Sequence, residues 1–420
     1  MDLVAAAVRQ VAQSRHSRVL ALTTTVVAYL TTVRLLRYRR RNRIIRDYGY
    51  PQRPLSSMTV EEASKIRKQL TNLEFPHAFT TSLFFALFKT YAIPTISKLL
   101  LATGQLSSDR TASKRAADTA VIISEMSHNS PQSERATSGI ARMNFLHSRY
   151  RKSGKITDDD MLYTLSLFAL EPERWISRFE WRNFSDVELC AEGVFWRDIG
   201  EAMEIPYGAL ELCYDSDERD GLAWLRAIKR WSDMYEKQHA VPNETNAKVA
   251  KGTLDILLFN LPLATRGVAV QLVSALIAPN TRDAMHLPHP TKLNEQLLIS
   301  FMALRRFFIK YFHLPRPSWL EFSRITDDAD PETGNYHMVF YFSQPWYVKP
   351  TWWNTCGPGA LFTRLLGGLV PANDAPFRPE GYKIEDLGPE NLEGKGRPEM
   401  EAEMQRLRAR RGGGCPMGSL

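Results

Sequence analysis

A chain of 420 residues with 44% hydrophobic side chains can bury a large core, and one large domain is the expectation, although the length also permits two closely packed ones. The formal charge of +8 is local, with seven arginines between Arg34 and Arg46 and further basic residues from Arg406 to Arg411, so no nucleic-acid partner is expected. Four cysteines, Cys190, Cys213, Cys356 and Cys415, form neither a Cys-x-x-Cys pair nor a dense framework, which argues against a disulfide scaffold and a structural zinc site and fits a reducing compartment.

In chain order the first element is apolar. No charged side chain occurs from Val19 to Val33, and Leu35 and Leu36 extend the run past Arg34, whose long side chain can snorkel, so residues 19–36 read as a transmembrane anchor. The run lacks a small-residue cleavage site and ends in Arg37-Tyr-Arg-Arg-Arg-Asn-Arg43, which favours an anchor over a signal peptide. The denser positive charge after the span predicts a single-pass protein with residues 1–18 in a lumen and residues 37–420 in the cytosol, in a eukaryote at the endoplasmic reticulum membrane.

Residues 37–56 read as a basic linker containing Pro51 and Pro54, and Thr59 with Glu62 reads as a capping box that opens a helix. Beyond it the apolar spacing predicts helices at 60–72, 77–90, 112–128, 134–152, 158–170, 184–203, 220–238, 263–277, 293–313 and 397–410. One alternating run, His337–Phe342, reads as a short strand, and residues 397–420 as a charged tail. The expected fold is all-α: one large, mostly helical globular domain over 57–396 behind an N-terminal transmembrane helix. Apolar segments at 79–88, 254–261 and 307–312 fit core packing, or a lipophilic tunnel near the membrane surface.

Two segments carry candidate chemistry. Arg115, Asp118 and Thr119 share one helical face, and His147 shares another with Asn144 and Arg151. An imidazole can ligate haem iron while an arginine and a hydroxyl one turn apart serve propionates or bound oxygen. The same spacings suit a helix ion pair and a hydrogen-bonded core histidine, and spacing alone leaves both readings open. Asp158-Asp-Asp160 after Thr157 reads as a capped helix start, and prolines 288 and 290 break any helix that would bring His286 and His289 together on a metal. No Gly-x-Ser-x-Gly, Gly-x-Gly-x-x-Gly, phosphate loop or His-Glu-x-x-His occurs.

The runs Leu73-Glu-Phe-Pro76, Tyr91-Ala-Ile-Pro-Thr-Ile-Ser97, Lys114-Arg-Ala-Ala-Asp-Thr119, Phe145-Leu-His-Ser148, Phe179-Glu-Trp-Arg182, Leu314-Pro-Arg-Pro317 and Asn391-Leu-Glu-Gly-Lys-Gly396 together resemble the fungal, endoplasmic-reticulum-bound members of the MpaB/rubber oxygenase family. More distantly the middle of the chain resembles the bacterial latex-clearing rubber oxygenases, which are mostly helical and hold haem b. The resemblance implies His147 as the axial ligand of haem iron, Arg151 as a propionate anchor, and Arg115, Asp118 and Thr119 on the distal side, with O2 as co-substrate. Asp118 stands where the bacterial motif has a lysine able to occupy the distal iron position, so a site open to O2 is expected. The implied activity is oxidative cleavage of a C=C bond in the prenyl chain of a lipophilic meroterpenoid, in mycophenolic acid or a related fungal pathway, with other membrane-bound pathway enzymes as partners. Two alternatives are a membrane-tethered binding or scaffold protein in which His147 is structural, and another redox or hydrolytic enzyme of lipid-like substrates.

Overall fold

Capping residues and prolines set most element boundaries in the computed structural model, which describes residues 2–104, 112–215, 217, 219–341, 344–373 and 376–412. α1 (Asp2–Arg37) and α2 (Arg39–Tyr48) lead to α3 (Val60–Gln69), whose start is the expected reciprocal cap between Thr59 and Glu62. α4 (Pro76–Thr90) and α5 (Pro94–Ala102) begin on prolines, whose missing N–H is harmless in a first turn. α6 (Ala112–His128), α7 (Glu134–Lys152), α8 (Asp158–Phe179) and α9 (Asp186–Ala202) follow, the last three capped by Ser133, Thr157 and Ser185. Next come α10 (Gly221–His239), α11 (Glu244–Leu257), α12 (Leu263–Leu276), α13 (Pro279–Ala284) and α14 (Lys292–Tyr311). After a long irregular stretch, α15 (Trp352–Cys356), α16 (Pro358–Leu365) and α17 (Arg397–Gly412) complete the described chain.

The body is all-α, as the sequence predicts; α5, α11, α13, α15 and α16 have no counterpart among the predicted helices, and four other features differ. The run at 337–342 forms no strand among the described residues. Only isolated bridges join Ile325 to Met338 and Tyr336 to Tyr382, because the amides of Met338 and Val339 go to the carbonyls of Tyr347 and Arg324 rather than to one neighbour; Phe342 lies outside the described residues. α8 continues through Pro172 to Phe179, since buried Trp175, Ile176 and Phe179 outweigh one missing backbone bond. The stretch read as a basic linker holds α2, with Ile44 and Tyr48 buried and Arg40 bound to Glu74 and to the Arg316 carbonyl. The helix expected at 397–410 forms as α17, but instead of trailing as a charged tail it packs on the body, burying Met400 and Leu407 against α7 while Arg410 and Arg411 bind Asp198; residues 413–420, including Cys415, lie outside the described residues.

Packing is close where the sequence permits it. α4 lies on α8, α9 on α3 and α10, and α7 between α6 and α17. Gly193 of α9 and Gly221 of α10 let two helix backbones touch, since a Cβ on Gly193 would stand 1.9 Å from the Gly221 carbonyl oxygen. Buried Arg67 crosses this layer, pairing with Glu192 at 3.0 Å and lying over the Phe195 ring. Arg142, fully buried, donates to the carbonyls of Leu387, Leu392 and Lys395, so one α7 side chain holds the irregular C-terminal stretch against the body.

At the end of α6, His128 Nε2 meets the Ser323 hydroxyl at 3.1 Å, and burial, followed by the charges of Arg324, Lys68, Arg135 and Arg67, pushes its pKa down from 6.5 to about 3. Between those two values the unfolded chain binds a proton that the folded chain refuses, so stability falls as the pH drops from 6.5 towards 3, by on the order of 1.4 kcal/mol per unit. His128→Gln keeps a polar partner for Ser323 and does not titrate. Denaturation midpoints measured from pH 7 to pH 4 should therefore decline less steeply in this variant; an unchanged slope would contradict the buried neutral imidazole.

Candidate active site

α6 and α7 lie side by side and turn one face each into a shared cavity of about 340 Å3. From α6 come Arg115, Thr119, Ile123 and Met126, three or four residues apart, and from α7 come Met143 and His147. Leu83 and Leu87 of α4, Met161, Leu165 and Phe168 of α8, Ile199 of α9 and Ile256 and Leu257 of α11 supply most of the remaining wall, which is predominantly apolar.

His147 faces this cavity. Burial, followed by the charges of Arg115 and Arg151, lowers its pKa to about 4, so at neutral pH the ring is uncharged and one nitrogen presents a lone pair. Its Nδ1 is sealed from solvent and has no hydrogen-bond partner among the described residues. A buried, unpaired ring nitrogen is costly unless a further group completes the environment.

Arg115 donates from Nη1 to the Thr119 hydroxyl at 3.0 Å, and that hydroxyl donates to the Arg115 carbonyl at 2.9 Å, so Thr119 fixes the direction of the guanidinium. Burial pulls the Arg115 pKa down, and Asp118 offsets this only from outside ion-pair distance. The guanidinium thus stands at the cavity without a carboxylate partner among the described residues, an arrangement suited to an anionic group or to negative charge that develops in a reaction. A second cation, Arg324, also lines the cavity; it donates to the Ser127 hydroxyl at 3.3 Å, and burial, then Arg67, lowers its pKa to about 10.

Two residues named from the sequence stand outside the wall. Asp118 is 1% exposed and accepts from Lys114 at 2.9 Å and from the Tyr347 hydroxyl at 2.6 Å, and Lys114 in turn binds Glu393. It ties α6 to the C-terminal stretch, and burial, opposed by Lys114, raises its pKa. Arg151 donates to the carbonyls of Met203 and Glu204, both at 2.9 Å, and pairs with Asp158 at 3.2 Å, clamping the turn after α9. The structure therefore brings Arg115, Thr119 and His147 together and directs Asp118 and Arg151 to protein partners.

Thr157 caps α8 through the Asp160 amide, and Asp160, in the cavity wall, accepts from Thr95 and Tyr235. His286 and His289 are exposed, and among the described residues no three His, Cys, Asp or Glu side chains gather to hold a metal ion. A metal at His147 would have to bring its other ligands, as a porphyrin does. Burial raises the Cys190 thiol to about 12, which makes it unreactive. Sequence reasoning missed Arg324, Tyr91 and Thr164 in the wall. Arg324 sits in an irregular stretch with no periodic signal, whereas Thr164 follows Met161 and precedes Leu165 and Phe168 on one helical face and was legible in principle.

No family model matches the chain. The ER-bound oxygenase mpaB' of Penicillium brevicompactum is 41% identical over 393 residues, covering 93% of this chain and 92% of that protein. The ER-bound oxygenase mpaB of the same species is 38% identical over 369 residues, 87% of each chain, and that of Penicillium roqueforti (strain FM164) is 44% identical over 261 residues, 62% of this chain and 87% of its own. At these identities over most of the relatives' lengths, the chain belongs to the mpaB family of ER-bound oxygenases.

Proposed function

We propose that the chain is a haem-dependent oxygenase of the endoplasmic reticulum membrane that cleaves a C=C bond in the prenyl side chain of a lipophilic meroterpenoid, in mycophenolic acid or a related fungal pathway. The observation that carries this reading is the pairing, in one apolar cavity, of a neutral imidazole and a guanidinium that have, among the described residues, no hydrogen-bond partner and no counter-ion respectively. That counts against a scaffold with a structural His147, in which the imidazole would be hydrogen-bonded and the arginine paired.

His147 would hold the cofactor through its lone pair, and bound haem b would supply the binding and activation of O2. The apolar side chains of α4, α8 and α11 hold a prenyl chain in extended contact and exclude water from the double bond. Arg115, aimed by Thr119, places a fixed positive charge where negative charge develops on oxygen. Splitting the alkene with O2 yields two carbonyl fragments.

The membrane assignment rests on the apolar stretch that runs through α1 into α2, Ser17–Tyr48, which among the described residues is the one unbroken stretch long and apolar enough to span, and on the relatives' being ER-bound. The arginines that end the span orient the body to the cytosol, where neighbouring membrane-bound enzymes of the pathway can exchange lipophilic intermediates with it. The full-length protein purified in detergent should show a Soret band and about one haem b per chain by pyridine haemochrome, since the one histidine in the wall would hold one haem. A protein that turns over without haem would overturn the cofactor assignment.

A further inference from the structure

The outer face of α14 is apolar in a regular pattern. Leu293, Leu297, Phe301, Leu304, Phe308 and Phe312 recur every three or four residues, all are exposed, and α14 has no buried residue among its twenty. A soluble helix turns such a stripe inward; here it points away from the body. The surface continues on neighbouring elements, with Trp352 at 71% and Trp353 at 69% exposure on α15, Phe362 and Leu365 on α16, and Leu263 on α12.

These elements are joined to the anchor and to the cavity. The Tyr29 hydroxyl of α1 donates to the Phe312 carbonyl at 2.6 Å, the Arg34 guanidinium lies 5.6 Å from the Tyr311 ring, and Arg40 donates to the Arg316 carbonyl at 2.7 Å. Residues 311–316 therefore sit beside the part of the anchor where apolar side chains give way to arginines. Gln271 of α12 accepts from Asn294 of α14 at 2.7 Å, which fixes those two helices together. On the cavity side, the Tyr341 hydroxyl in the wall donates to the Leu369 carbonyl just beyond α16.

We propose that α12, α14 and the α15–α16 segment form a second membrane surface, which dips into the cytosolic leaflet beside the anchor and turns the cavity rim towards lipid. The occupant is the bilayer itself, since the apolar face is continuous with a helix that enters the bilayer; this rests on the anchor reading above. A helix with an apolar stripe and basic flanks lies in the plane of an interface, and tryptophans prefer that depth. Arg306 and Arg364, both exposed, stand on these same helices, where they can meet lipid phosphates. A substrate dissolved in the leaflet reaches such a rim by lateral diffusion, without crossing water.

The test uses the full chain reconstituted in phosphatidylcholine vesicles with or without bromine on the acyl chains. Of nine tryptophans, Trp352 and Trp353 of the proposed surface and Trp319, just past the Arg316 that Arg40 holds beside the anchor, are exposed, while Trp175, Trp181, Trp196, Trp224 and Trp231 are buried. Brominated lipid should quench part of the fluorescence, and most of that quenched part should be lost when Trp319, Trp352 and Trp353 are together changed to Phe, a conservative change at exposed positions. Carbonate extraction reads the anchor separately. Unquenched tryptophans in a carbonate-resistant protein overturn the second surface and leave the anchor standing, and release by carbonate overturns both. If the triple substitution instead changes the oligomeric size and leaves quenching as it was, a second copy covers the face and the proposal is wrong.

Discussion

His147→Ala should lose bound haem and all turnover while keeping its helical content. The imidazole faces a cavity, and its Nδ1 has no hydrogen-bond partner among the described residues, so truncation leaves none of their groups newly unpaired. The folding cost is confined to a few lost contacts, on the order of 1–3 kcal/mol for a residue of this kind. The ligand cost is complete, because His147 is the histidine in the wall. Haem per chain, circular dichroism and cleavage rate, measured together, separate these effects. Wild-type haem content in the variant would assign the iron to another residue.

Arg115→Ala should retain haem and lose cleavage on the order of 100-fold, the usual consequence of removing a preorganised charge beside a reacting centre. Thr119→Val should act in the same direction with a smaller effect, because the arginine survives but loses the hydroxyl that aims it. Asp118→Ala supplies the contrast. Its carboxylate binds Lys114 and Tyr347 outside the cavity wall, so its removal should cost about 3 kcal/mol of stability, the scale of breaking a buried pair, and leave the rate of the folded enzyme intact. A rate loss in Asp118→Ala with unchanged stability would return that residue to the reacting site, and an unfolded Arg115→Ala would make the arginine a structural group.

Much of this arrangement is legible in the sequence. Serine, threonine and proline caps mark α3, α4, α7, α8 and α9, and helical spacing puts Arg115 with Thr119 and presents His147 from the next helix. Spacing fails where a partner comes from distant chain. Asp118 shares its turn with Arg115, yet Lys114 one turn earlier and Tyr347 from the irregular C-terminal stretch claim its carboxylate. Arg151 follows His147 by one turn, and the carbonyls after α9 take its guanidinium. Arg324 carries no periodic pattern, and α17 hides a narrow apolar stripe, Met400 and Leu407, among charges. The outward face of α14 misleads in a different way, because a stripe of correct period reads as a core face whichever solvent it meets.

The proposed reaction is the splitting of a prenyl double bond by O2 in the cavity between α6 and α7. The most direct measurement supplies membranes carrying the full chain with a farnesylated aromatic substrate under 18O2, reduces the products with borohydride before their carbonyls exchange with water, and determines their masses. The expected result is a shortened aromatic product carrying 18O at the cleaved carbon, formed by the wild-type chain and absent with His147→Ala. Intact substrate, a hydroxylated product of unchanged carbon number, or oxygen derived only from water would contradict it.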